Sequence, residues 1–150
     1  MKRTDSNLLH GSRGQSLVEF ALILPMILVV MFMITEFGRA LYQYNVLETA
    51  TRMGVRAAVV TSQSNAVATA EAQMDSILVA SRIPINSVTK TVTIETNFGG
   101  AGSGVTIVRA KAQKPFNWAF KGPITMQGGG VASKKALTLT AESLMKTETF

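Results

Sequence analysis

A mostly polar stretch occupies the first sixteen positions, and then the pattern changes: from Leu17 to Ile34 the chain reads LVEFALILPMILVVMFMI, apolar except for Glu19 and interrupted only by Pro25. Extended to Phe37, the run reaches the ~20 residues that a helix rising ~1.5 Å per residue needs to cross a ~30 Å hydrocarbon layer. It predicts a membrane-crossing helix. Lys2, Arg3 and Arg13 precede it against the single Asp5. The positive-inside rule therefore keeps the amino terminus in the cytoplasm and sends the chain beyond about residue 38 across the bilayer. A secretory signal peptide would end in a small-x-small cleavage site, whereas this run is followed by TEFGRALYQ.

Helical periodicity continues past the apolar run. Val46, Ala50, Met53, Ala57 and Val60 recur at spacings of four and three, and Glu48 stands four residues ahead of Arg52 on another face. One helix from Leu17 to Val60 would be ~65 Å long. The alternative is a membrane helix followed by a separate surface helix, since Gly38 and Gly54 both lower helix propensity. After a polar TSQSN break, Ala66 to Ser81 carries Val67, Ala70, Met74, Ile77 and Leu78 on one side, with Ser64 or Asn65 as cap and Pro84 beyond its end.

The period then falls to two. Val88 to Thr96 sets Val88, Val92 and Ile94 opposite Thr89, Thr91, Thr93 and Glu95; Val105 to Gln113 follows the turn GGAGSG; Lys135 to Ser143 sets Leu137, Leu139 and Ala141 opposite Thr138, Thr140 and Glu142. Between the second and third of these runs, KPFNWAFKGPITMQGGG reads as a long loop in which Phe116, Trp118 and Phe120 alternate. They read as core or subunit packing, or as a surface that docks a neighbour. The fold class that follows is α+β: a long amino-terminal helix, a second amphipathic helix, and a small antiparallel sheet of about three strands packed against the second helix and the upper part of the first.

Composition removes several function classes. The chain has 150 residues, no Cys, and a single His, His10 in the polar amino-terminal stretch. Disulfides, cysteine zinc sites and thiol nucleophiles are thereby excluded, and none of the nine acids stands in sequence as the partner of a His or Cys. No metal ligand set, cofactor motif or catalytic constellation is expected, and the chain reads as no enzyme. GGAGSG lacks the following helix and the Gly-Lys-Ser/Thr ending of a phosphate loop, so it reads as a hairpin turn. The net charge of +6 comes from scattered basic residues, of which only Arg109, Lys111 and Lys114 approach a patch, so nucleic acid is not an expected partner.

One residue resists a purely anchoring role. A carboxylate such as Glu19 costs several kcal/mol in hydrocarbon unless partnered. The peptide Gly14-Gln15-Ser16-Leu17-Val18-Glu19-Phe20, followed directly by the apolar run, resembles the processing site of type IV pilin-like precursors. Ala21-Leu22-Ile23-Leu24-Pro25 after it, and Glu36-Phe37-Gly38-Arg39 at the far end of the helix, resemble more narrowly the TadE-like minor pseudopilins of the Tad (tight adherence, Flp) pilus system. The resemblance covers about residues 13 to 58. Gln15 departs from the Phe, Met or Ala with which many mature chains of the wider superfamily begin.

The resemblance implies cleavage between Gly14 and Gln15 by a prepilin peptidase and assembly through Glu19 and Phe20. Removing Lys2, Arg3, Arg13 and Asp5 takes away a net +2 and leaves +4. The expected parts are a cytoplasmic leader (1–14), a transmembrane helix (15–38), its extension (39–62), and a small α+β domain (63–150) on the periplasmic or extracellular side. The implied location is a bacterial inner membrane, with incorporation into a pilus. Implied partners are the prepilin peptidase, other Tad pilins and pseudopilins, the inner-membrane assembly platform and membrane lipid. Two alternatives stand beside this: an anchored binding module with an uncut amino terminus, and a pseudopilin of a type II secretion system.

Overall fold

A computed structural model describes residues 12–96, 98–99, 105–117 and 137–147. Its elements are α1 (Ser12–Val59), α2 (Gln63–Ala80), a 3-10 turn (Ile85–Ser87), β1 (Thr89–Glu95), β2 (Thr106–Phe116) and β3 (Leu137–Thr147). The α+β class and the three-stranded antiparallel sheet are as the sequence predicts. The leader residues 1–11, the turn residues 100–104, and Trp118 and Phe120 with the rest of the long loop lie outside the described residues. The chain divides into two compact units, Met1–Gly38 and Arg39–Phe150.

In the first unit, α1 begins at Ser12 and contains Pro25 without ending there. Every residue from Gly14 to Thr35 is exposed. An α-helix satisfies its own backbone hydrogen bonds, which is what a single segment in hydrocarbon requires. The helix is long and apolar enough to cross a membrane, and its most apolar stretch is wholly uncovered by protein.

In the second unit the strand order is β1-β2-β3, both pairs antiparallel. The register puts Val92 and Ile94 beside Ala110 and Val108, and Ala112 beside Ala141, on one face. Those residues join Val46, Leu47, Ala50, Val55 and Ala58 of α1 and Ala66, Ala70, Met74 and Leu78 of α2 in one core. On the opposite face Arg109 reaches Glu142 at 2.6 Å and Glu95 at 3.2 Å. Polar ties join helices to sheet: Thr51 Oγ1 lies 3.1 Å from Ser143 Oγ, and Lys90 pairs with Asp75.

Four details differ from the sequence expectation. The inward stripe of α1 runs through Leu47, Ala50, Thr51, Gly54, Val55 and Ala58, while Met53 and Val60 of the predicted stripe are exposed. Gly54 explains the shift: a Cβ there would lie 2.7 Å from Met74 Cγ and 3.2 Å from the Ala70 carbonyl oxygen, so the closest approach to α2 needs the residue the apolar count ignores. Second, α2 starts at Gln63 with Ser62 as cap residue, and neither Ser64 nor Asn65 caps it; the Asn65 N–H bonds the Ser62 carbonyl instead. Third, β3 runs past the predicted end at Ser143 to Thr147, because Thr106 at the start of β2 pairs with Thr147, while Lys135 and Ala136 of the predicted strand lie outside the described residues. Fourth, Lys114, Pro115 and Phe116 belong to β2 and not to a loop. Pro115 is tolerated because β1 pairs no further than Gln113, so β2 has a strand on one side only at that point.

The carboxyl end of α2 closes with the Ile83 N–H bonded to the Leu78 carbonyl and the Arg82 N–H to the Val79 carbonyl. This is the Schellman arrangement, with its apolar contact supplied by buried Ile83 and Leu78. Arg82 occupies the left-handed position, φ 56°. A Cβ there costs roughly 1 kcal/mol that glycine avoids. Arg82→Gly is therefore expected to raise unfolding stability by about 0.5–1 kcal/mol, measured by denaturant titration of the solubilised chain; an unchanged or lower midpoint would contradict the cap assignment.

Candidate functional site

The residues implied as a processing and assembly site, Gly14, Gln15, Glu19 and Phe20, all lie in the first three turns of α1. Gly14 is exposed, and nothing lies within 4 Å of where its Cβ would be. It is helical here, in the turn whose leading N–H groups have no carbonyl partner inside the helix. A helix held that weakly at its start can be unwound into the extended form that peptidases bind.

Gln15 and Glu19 are one turn apart and in contact: Gln15 Nε2 donates to Glu19 Oε1 at 3.0 Å. This is an i,i+4 pair between an amide and a carboxylate, and it supplies Glu19 with a hydrogen bond from its own helix. Phe20 is 58% exposed, as is the run of Leu, Ile, Val and Met that follows. At the other end of that run Glu36 is buried while Phe37 is exposed.

A second constellation lies where the second unit begins. The Arg39 guanidinium stands over the Phe116 ring, 4.8 Å from its centroid, and donates to the Asn117 carbonyl at 2.6 Å. One turn on, Gln43 Oε1 accepts from Lys114 Nζ at 2.7 Å. Burial, and then the Arg39 charge, hold the Lys114 ammonium below its ordinary pKa. Of the aromatic trio, Phe116 is thus core, packed beneath a cation. Sequence reading placed Phe116 in a loop and missed this contact. The signal was present, because the period-two pattern Val108, Ala110, Ala112 continues in phase to Phe116.

Among the described residues no three His, Cys, Asp or Glu side chains converge as metal ligands.

Residues 14–56 match the model of the TadE-like protein family. The match begins at Gly14 and takes in both peptides that carry the resemblance, Gly14 to Phe20 and Glu36 to Arg39. It relates this part of the chain to the Tad pilus system. No curated protein and no solved structure matches the chain.

The Lys114 environment has a consequence for stability. Its folded pKa lies below its ordinary 10.5, so just below that value the unfolded chain binds more protons than the folded one. Stability contributed at this position should therefore rise as pH climbs toward 10.5. Comparing denaturation of wild type and Lys114→Met across the alkaline range is expected to show a flatter rise in the variant; parallel curves would refute the assignment.

Proposed function

We propose that the chain is a minor pseudopilin of a Tad/Flp pilus, a structural subunit and a peptidase substrate rather than an enzyme. A prepilin peptidase cuts it between Gly14 and Gln15 on the cytoplasmic side. The apolar helix then holds it in the inner membrane with its α+β domain outside, until it joins other pilins and pseudopilins on the assembly platform of a pilus that serves adhesion.

One observation carries this reading: Gly14, Gln15 and Glu19 stand in order at the exposed head of α1, at the start of an apolar stretch that is uncovered among the described residues and at the start of the TadE-like match. Cleavage frees an α-amine at Gln15, one turn from Glu19. Amine and carboxylate can then pair within one subunit, or between two subunits offset along the fibre axis. In lipid such a pair relieves two desolvated charges together. An unpartnered Glu19 favours assembly for that reason. Glu36-Phe37-Gly38-Arg39 favours the Tad system over type II secretion, and only a cut chain offers Glu19 the α-amine of Gln15 as a partner.

Two substitutions separate these readings. Gly14→Leu should leave the precursor at full length in its native host, seen as an intact leader by mass spectrometry; normal processing of that variant would refute the cleavage assignment. Glu19→Ala should still be cut. Removing one partner of a desolvated pair costs about 3–5 kcal/mol, so assembled subunits should fall roughly a hundredfold or more. Normal piliation in Glu19→Ala would reduce Glu19 to a side chain that reaches the headgroups.

A further inference from the structure

A cut after Gly14 leaves glutamine at the new amino terminus, and an amino-terminal glutamine is chemically unstable in a way that Phe, Met or Ala is not. The α-amine nitrogen attacks the residue's own Cδ. A new C–N bond closes a five-membered lactam, the bond from Cδ to Nε2 breaks, and ammonia leaves. Atoms balance and nothing is oxidised or reduced. The product has lost its basic amine, and with it the charge that the proposed assembly uses.

The structure shows where the reacting carboxamide is held. Gln15 Nε2 donates to Glu19 Oε1 at 3.0 Å, one turn along the helix. Ring closure requires the carboxamide to leave Glu19 and fold back over its own backbone nitrogen. We propose that Glu19 protects Gln15 from lactam formation by holding its carboxamide, and so preserves the charged amine. This rests on cleavage between Gly14 and Gln15. It gives Glu19 a task before assembly as well as during it, and it explains how a chain with Gln15 at that position keeps a usable amine. Glu19 is a positioning residue here: it takes no part in bond making.

The test uses the full chain co-expressed with a prepilin peptidase, purified in detergent and incubated at neutral pH. The amino-terminal peptide is followed by mass spectrometry, where the lactam is lighter by one ammonia. The wild type is expected to start at Gln15 with an intact amine. Glu19→Ala should form lactam roughly two- to tenfold faster, the worth of one exposed hydrogen bond. Glu19→Asp is one methylene too short to keep the contact but retains the charge, and should also cyclise faster; Glu19→Gln retains an acceptor for Nε2 and should stay near wild type. Equal rates in the wild type, Ala and Asp chains would overturn the protection while leaving the cleavage reading intact. Faster closure in Ala but not in Asp would assign the effect to charge and overturn the hydrogen-bond account. A peptide that starts anywhere other than Gln15 would overturn the cleavage reading, and the protection with it.

Discussion

From Gly14 to Thr35 every residue of α1 is exposed among the described residues. Sixteen large apolar side chains between Leu17 and Phe37 are exposed. Each gains about 1.5–3 kcal/mol on leaving water, so leaving them wet would forfeit more than the 5–15 kcal/mol that holds a typical domain together. A hydrocarbon layer would remove that cost, and a single helix suits such a medium because its backbone is already satisfied. Everything anomalous about the segment follows from this. Pro25 is an irregularity within the run, whereas Glu19 is a charge placed where charge is expensive. Its contact with Gln15 lessens that cost locally; a carboxylate still gains more from a cation than from an amide.

The second unit solves a different problem with small residues. Ala50, Ala58, Ala66, Ala70, Ala110, Ala112 and Ala141 are buried almost completely, and Gly54 faces Met74 with no room for a Cβ. Close approach of this kind gains dispersion contacts but buries little apolar area per residue. Polar ties supplement it: Thr51 to Ser143 across α1 and β3, Lys90 to Asp75 across β1 and α2, and Lys114 to Gln43 across β2 and α1. Exposed pairs such as Arg52 with Glu48 contribute little beside these.

Periodicity made the elements legible and packing decided their phase. The apolar run, the second helix and three alternating segments were all readable, because each buries or exposes a face large enough to leave a pattern. The α1 stripe was read one step out of phase at Met53 and Val60, since counting apolar residues passes over Gly54, and the contact there depends on a missing side chain. Strand ends were misread where Lys114 and Pro115 interrupt the alternation, although Phe116 resumes it in phase. Gly14, Gln15 and Glu19 were legible as spacing alone. The bond from the Gln15 carboxamide to Glu19 was not, because an i,i+4 spacing brings two side chains within reach without fixing the rotamers that join them.

Arg39 shows how a residue read as part of a motif has a physical task of its own. It follows the apolar run by two positions, where a long cationic side chain meets water again. Its guanidinium stands over the Phe116 ring and also donates to the Asn117 carbonyl, which ties the end of β2 to the first turn of the second unit. A lysine would keep the charge but not the planar fork that serves ring and carbonyl together. The cost appears at Lys114, whose ammonium is disfavoured by burial and by the neighbouring Arg39 charge, and Gln43 offsets part of it by accepting from Nζ. The same guanidinium thus holds the strand end through Phe116 and Asn117 and disfavours the charge on Lys114.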